Sequence, residues 1–408
     1  MRGRRLTLPL ALILGGLSAF GPLSTDMYLP ALPGVATSFH APQWAAQATI
    51  SACLIGLGLG QLAAGPVSDA LGRRRPLLFG VGLFVLASWA AGLAPSLGFL
   101  IGVRLLQGLG GAAGIAIARA MVRDLFDGSE VARVLSLLML VTGLAPIGAP
   151  IIGGQILRVT PWQGVFVVLG AVGAVILIGT AGWLPESLPP DRRRSGGLRE
   201  AGRTFRTVSS SRRFISYALP AALAFSVLFS YISASPFVLQ RQFHLSAQAF
   251  GFAFAVNSFV LVAVSQLNAR LVGRIPLQRL LTLGLCLCVL AAGALLVAAL
   301  AELGLAIFLA ALAVAVGSLG LITPNAVALA LQPHPRSAGM ASAQLGALQF
   351  AVGALVGPTT GLQLGDPAVS MATVIVGSAV AALASFSLLA RPSAGRGRPP
   401  GAFEVGGP

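Results

Sequence analysis

Apolar residues in this chain do not alternate with polar ones at a strand or surface-helix period. They run on in long stretches, interrupted by short groups of Arg, Pro and Gly. Twelve such stretches are predicted, at 6–35, 43–66, 76–95, 97–121, 133–157, 162–184, 214–239, 247–269, 277–300, 303–328, 336–361 and 367–390. At about 1.5 Å per residue each can cross roughly 30 Å of hydrocarbon. The expected fold class is therefore an all-α integral membrane protein with twelve transmembrane helices. The first stretch begins like a secretion signal, with Met1-Arg-Gly-Arg-Arg5 ahead of an apolar run that reaches Ser18 and Ala19. It continues into Asp26-Met-Tyr-Leu-Pro30, so it reads as a retained span.

Composition and charge sharpen this picture. Of 408 residues 56% are apolar and only 9% charged, against about 25% in a soluble domain, which excludes one or two water-soluble domains. The 27 basic residues are all Arg and face 11 acidic ones, for a net charge of +16. In a soluble protein that excess would suggest nucleic acid; here it reports topology, because basic residues in short loops stay on the cytoplasmic side. Arg2, Arg4, Arg5, Arg73 to Arg75, Arg119, Arg123, Arg133, Arg270, Arg274, Arg279, Arg336, Arg391, Arg396 and Arg398 fall on one side with the central group from Arg192 to Arg213. Only Arg158 and Arg241 lie in opposite loops, and Arg104 lies within a span. Both termini are thus expected in the cytoplasm, with Glu302 and Asp366 near the outer surface.

The one long polar connection, Pro185–Arg213, divides the chain into a first bundle over 1–184 and a second over 214–390, with a disordered tail expected at 391–408. Leu198, Phe205 and Val208 share a helical face within that linker. They fit either a helix lying on anionic membrane lipids or a charged tether. Leu71-Gly72-Arg73 and Val272-Gly273-Arg274 recur at the same topological place in each half, as duplicated transporter halves would have them.

Two ionisable residues sit deepest in apolar surroundings, Asp26 and Arg104. A charge at the bilayer centre costs about 2.5–3.5 kcal/mol on insertion scales, so each needs a cavity or a partner. The helix rise places them roughly 14 Å and 10 Å from the outer end, close enough to approach one another. A change in their separation would load and unload a proton; a static pair that fixes packing is the alternative. At the end of span two, Gly65-Pro-Val-Ser-Asp69-Ala-Leu-Gly72-Arg73-Arg74-Arg75 offers a tight turn and close helix approach at its glycines and a carboxylate for the arginines. Such a segment can latch two bundles together, or it is a topogenic Arg cluster beside a chance Asp. In span five Gly143, Pro146, Gly148, Pro150, Gly153 and Gly154 predict a kinked, smooth helix. The series Gly56 and Gly60, and Gly353, Gly357 and Gly361, read as close-packing seams. Tyr28, Asn257, Gln266, Asn325, Gln344 and Gln349 are polar groups within spans, available to line a substrate cavity or to bond helix to helix.

Other chemistry is thin. Cys53, Cys286 and Cys288 lie in apolar runs and form neither a disulfide framework nor a metal site, and His40, His244 and His334 fall in loops. A chain without Lys has no nucleotide-binding Gly-rich loop, so no cofactor is expected.

The Gly65–Arg75 segment resembles the signature of the major facilitator superfamily, with Ala70 where a basic residue is usual. Asp26-Met-Tyr-Leu-Pro-Ala-Leu-Pro33, Gly60-Gln-Leu-Ala-Ala-Gly65, Arg104-Leu-Leu-Gln-Gly-Leu-Gly110, Arg119-Ala-Met-Val-Arg-Asp124, Leu144-Ala-Pro-Ile-Gly-Ala-Pro150, Tyr231-Ile-Ser-Ala-Ser-Pro236, Pro324-Asn325-Ala and Gly339-Met-Ala-Ser-Ala resemble its bicyclomycin and chloramphenicol resistance (Bcr/CflA) branch. The resemblance implies two pseudo-symmetric six-helix bundles in a bacterial inner membrane and export of small drug-like compounds against protons, the proton gradient being the energy source. It also implies Asp124 as carboxylate partner of Arg73, and span five as the antiporter-motif helix that seals against leak. A nutrient importer, a membrane-embedded enzyme and a non-transporting sensor are the rival readings; no protein partner is evident.

Overall fold

The computed structural model describes residues 7–193, 197–333, 337–362 and 366–389. Arg2, Arg4, Arg5, His334, Arg336 and the tail 391–408 lie outside the described residues. Among the described residues, twelve helices are long and apolar enough to cross a membrane: Leu8–Ser38, Gln43–Leu71, Arg74–Gly92, Leu97–Leu125, Ser129–Ile156, Gln163–Trp183, Arg212–Gln242, Ala247–Leu271, Leu277–Leu300, Leu305–Leu331, Ala338–Thr359 and Pro367–Leu389. They correspond one to one to the expected spans and are called spans one to twelve. The described residues contain no β-strand beyond an isolated bridge between Val272 and Ile275.

Two spans depart from a simple rod, and proline chemistry explains both. Span one is helical over Leu8–Asp26, turns at Met27 and Tyr28, passes through one 3₁₀ turn at Leu29–Ala31 and resumes at Leu32–Ser38. Pro30 and Pro33 lack the N–H groups that would have bonded the Asp26 and Leu29 carbonyls, so the ladder breaks just beyond Asp26. Span two was expected to stop at Pro66 but runs to Leu71 with Pro66 inside. Asp69 therefore lies in its last helical turn, and the chain reverses at Gly72, whose φ of +91° suits glycine.

The two halves repeat this detail. Gly273, after span eight, has φ +90°, and His40 and His244, after spans one and seven, take φ of 48° and 57°. The expected seams are present: a Cβ on Gly56 would strike the Leu105 carbonyl and one on Gly108 the Cys53 carbonyl, drawing spans two and four together. Large apolar side chains such as Phe79, Leu86, Leu290 and Leu355 point outward on the faces that lipid would cover.

The ends of the bundle differ. The loops at 72–73, 126–128, 184–211 and 272–276 form the Arg-rich end; those at 39–42, 93–96, 157–162, 243–246 and 301–304 form the Arg-poor end. Among the described residues, every side-chain hydrogen bond that joins the first six spans directly to the last six lies towards the Arg-poor end. Gln47 Nε2 donates to the Ser233 carbonyl (3.0 Å) and to Thr360 Oγ1 (3.1 Å). Gln240 Nε2 donates to the Pro30 carbonyl, Arg241 to the Pro33 carbonyl and Thr37 Oγ1, and Gln248 Nε2 to the Gly154 carbonyl. The halves are sealed at that end.

The linker forms a helix over Gly197–Ser209. It rests on spans two and eleven, with Val208 fully buried and Phe205 exposed, and so is a packed helix and not a free tether.

Candidate transport site and ion network

The break in span one brings Asp26 and Tyr28 to the interior of the first six spans, where Arg104 of span four meets them. Asp26 is buried and its Oδ1 accepts from Thr25 Oγ1 at 2.8 Å. Arg104 is fully buried, and its Nη1 donates to the Ser24 carbonyl at 2.9 Å and to Gln107 Oε1. Its Nε reaches the Thr49 carbonyl at 3.4 Å, while Nη2 has no partner among the described residues. The guanidinium carbon lies 4.8 Å from the Tyr28 ring centroid and 5.6 Å from that of Phe166. Each such desolvated contact contributes on the order of 1–2 kcal/mol.

Asp26 and Arg104 are thus neighbours through Ser24, but no ion pair joins them within 4.0 Å. The static pair expected as the alternative is absent from this conformation, because the guanidinium is taken up by carbonyls, Gln107 and two rings. Gln107 in turn donates to Ser88 Oγ at 2.7 Å, so one polar chain runs from span one through span four to span three. Ser24, Thr49, Gln107 and Phe166 had not been singled out; the three-residue spacing of Arg104 and Gln107 was the available signal, since it places both on one helical face.

The polar candidates for a cavity scatter. Tyr28 bonds to Thr49 Oγ1 at 3.0 Å beneath Arg104. Asn257 Nδ2 donates to the Tyr231 hydroxyl at 3.0 Å in the second half. Asn325 is an interhelical bond instead, to Asn268 Oδ1 at 2.7 Å. Gln266 is exposed on span eight, and Gln349 keeps a buried Nε2 without a partner among the described residues. Gln344 is turned away from any central cavity, its Nε2 donating to the Phe205 carbonyl of the linker at 2.7 Å.

At the Arg-rich end Arg73 gathers the predicted network. Nη1 lies 2.5 Å from Asp69 Oδ1 and Nε 2.9 Å from Asp124 Oδ2, while Nη1 also donates to Ser68 Oγ at 2.7 Å. Arg74 donates to the Ala181 carbonyl at 2.6 Å. Gly65 departs from expectation: a Cβ there would meet nothing within 4 Å, so it is no close-approach glycine in this conformation. Glu186, which no motif had indicated, completes the network. Its Oε1 accepts from the Arg73 N–H at 2.8 Å and its Oε2 from the Arg74 N–H at 3.2 Å, capping span three.

Partial burial alone would raise the Glu186 carboxyl, but the N–H groups of Leu188, Arg73 and Arg74 and the Arg193 charge outweigh it and hold it below the usual carboxylate range. The lowered native value makes this stabilisation complete above the unfolded carboxylate range of about 4.3 and progressively lost as pH falls through the native value. Glu186→Gln should lower the thermal stability of the purified protein at neutral pH, by about 1 kcal/mol for a lost cap. The deficit should shrink on acidification, and melting curves across pH read it directly.

In span five, Gly153 meets the Met27 backbone at the break of span one and Gly154 meets Ala247 and Gln248 of span eight. Pro150 contacts Gly251 of span eight through its carbonyl. Gly143 and Gly148 touch little: the nearest atom to a Cβ would be 4.0 Å away at Gly143, and none lies within 4 Å at Gly148. Pro146 lies within the helix, partly buried. The smooth face therefore serves two contacts at its Arg-poor end instead of one continuous groove. Among the described residues no group of His, Cys, Asp or Glu could hold a metal ion.

The sequence model of the Major Facilitator Superfamily matches residues 12–358. The chain belongs to the major facilitator superfamily. It is 35% identical to an uncharacterized MFS-type transporter, YdgK, of Bacillus subtilis, over 93% of this chain and 95% of that one. It is 31% identical to a bicyclomycin resistance protein homolog of Haemophilus influenzae, over 91% and 93% of the two chains. Multidrug resistance protein D of Escherichia coli is 29% identical over 85% of this chain and 86% of that one. These relatives match the Bcr/CflA branch. Among solved structures, a D-xylose–proton symporter superposes with a TM-score of 0.73 at 14% identity, over 92% of this chain and 96% of that one. A POT family transporter in complex with 5-aminolevulinic acid gives 0.75 at 12% identity, over 93% and 96%. At these identities the likeness establishes the fold, two six-helix bundles, and with the family it makes the protein a multi-pass membrane transporter.

Proposed function

We propose that this transporter exports small, fairly apolar drug-like compounds in exchange for protons, by alternating access across a bacterial inner membrane. The observation that carries the reading is a buried carboxyl, Asp26, at the broken helix of span one, two residues from Ser24, whose carbonyl accepts from a buried guanidinium that no carboxylate pairs, in a bundle sealed at one end. Broken helices beside ionisable residues are where carriers hold substrate and coupling ion. The resistance names of the relatives supply the substrate class. Asp26 is the proton carrier and Arg104 the charge it answers to; protons and substrate are the partners, and no bound cofactor is needed. The test is uptake by inside-out vesicles under an imposed pH gradient, with a susceptibility panel of phenicol- and bicyclomycin-type antibiotics in an efflux-deficient host. Gradient-driven movement in the opposite direction would make the protein an importer.

In this reading the Arg-rich end faces the cytoplasm. A cysteine at exposed Glu302, in a chain freed of its native thiols, should react with an impermeant maleimide in intact cells, and one at exposed Arg203 should react only after lysis. The reverse pattern overturns the orientation.

The Asp69–Arg73–Asp124 cluster is the conformational latch. Asp69→Asn is expected to slow transport severalfold while substrate affinity changes little, because Asp69 lies in the last turn of span two at the Arg-rich end, away from the break of span one that holds Asp26. Normal transport by Asp69→Asn, measured in the same vesicles, removes the latch role.

A further inference from the structure

Spans two and eleven come from opposite halves and pack directly along most of their length. A Cβ on Gly361 would meet the Trp44 backbone at 2.7 Å, one on Gly357 would meet Ser51 Oγ at 3.5 Å, and one on Gly58 would meet Phe350 at 3.3 Å. Closer to the Arg-rich end, a Cβ on Gly346 would lie 3.7 Å from Gln61 Oε1. One turn further the direct packing stops: Gly65 faces nothing within 4 Å, and Gln344 turns to the linker. The helix Gly197–Ser209 takes over there, in contact with both spans. Three features hold it. Val208 is fully buried, Gln344 Nε2 donates to the Phe205 carbonyl at 2.7 Å, and Ser209 Oγ donates to Gln344 Oε1 at 3.5 Å. Gln344, itself buried, is spent wholly on the linker.

We propose that the linker helix is a displaceable spacer, seated between the Arg-rich ends of spans two and eleven by Gln344 and Val208, which must leave its seat before that end can close. Alternating access requires the two spans to approach there once the Arg-poor end opens, and a helix cannot share the space. The seat biases the transporter towards the conformation sealed at the Arg-poor end. Losing it shifts the equilibrium by the differential free energy of its contacts. The proposal rests on alternating access alone and not on the identity of the substrate.

Two measurements test it, both in the full chain with Cys53, Cys286 and Cys288 replaced. In the first, Ser209→Cys is combined with Gln344→Cys and oxidised. The cross-linked protein should lose transport about tenfold or more and regain it on reduction. Unchanged transport by the cross-linked protein overturns the proposal. In the second, spin labels on exposed Arg158 and Glu302 report the separation of the halves at the Arg-poor end, with neither drug nor gradient present. Gln344→Ala, which keeps the fold but frees the helix, should raise the open, longer-distance population about fivefold to tenfold. A distance distribution identical to that of the parent overturns the spacer role, whatever compound the protein carries. A protein that moves no drug but shows the shift would fail the proposed function and keep the spacer.

Discussion

Asp26→Asn should bind substrate and still carry it down its own gradient, yet lose all uphill efflux driven by a pH difference. The reason is stoichiometric: an amide cannot exchange a proton at this site, while it keeps nearly the shape of the carboxyl and its bond with Thr25 Oγ1. The surroundings leave no substitute. Among the described residues of the first half, the buried ionic groups besides Asp26 are Arg104 and, at the Arg-rich end, Arg73, and a guanidinium stays protonated. Substrate-induced proton release from the solubilised protein separates the possibilities. Parent protein should release protons on addition of drug, and Asp26→Asn should release none. Equal release from both assigns the proton to another group and ends the mechanism. Arg104→Lys adds a graded control, because it keeps the charge but loses the fork that holds the Ser24 and Thr49 carbonyls together.

The same neighbourhood marks how far the sequence could be read. Twelve spans followed from uninterrupted apolar length, a signal that survives any detail of packing. Asp26 and Arg104 stood out because a charge in hydrocarbon is costly enough to be rare. What lay between them was invisible: the guanidinium is satisfied by backbone carbonyls of Ser24 and Thr49, and every residue has a carbonyl. Proline misled in one place and informed in another. Pro66 did not end span two, since a transmembrane helix packed among others tolerates an internal proline, whereas Pro30 and Pro33 together broke span one. Glu186 carried no pattern because its work is done on main-chain N–H groups a hundred residues away in sequence. Gln344 read as either a cavity residue or a helix-to-helix bond for a similar reason: an amide within a span says that a partner exists, and only the fold reveals that the partner is the linker.

The glycines of span five give the second large effect, because they look alike in sequence and are unlike in space. Gly153→Ala places a methyl against the Met27 backbone, whose carbonyl carbon would lie 3.0 Å and Cα 3.3 Å from it. Backbone cannot rotate aside as a side chain does, so spans one and five must separate at the residue next to Asp26. Overpacking of this kind costs about 1–3 kcal/mol, which a twelve-helix bundle tolerates. Transport is less forgiving, since misplacing a reacting group by about 1 Å lowers a rate by about a hundredfold. Gly148→Ala is the matched comparison: the same substitution, in the same helix, where no atom lies within 4 Å of the new methyl. It should transport at close to the parent rate and melt no lower. Vesicle efflux and melting temperature, measured on the two variants side by side, decide the matter. If both lose transport alike, the helix needs glycine for its flexibility along its whole length. If only Gly153→Ala fails, the contact with the broken span is what the motif protects, and the position of Asp26 is set from span five.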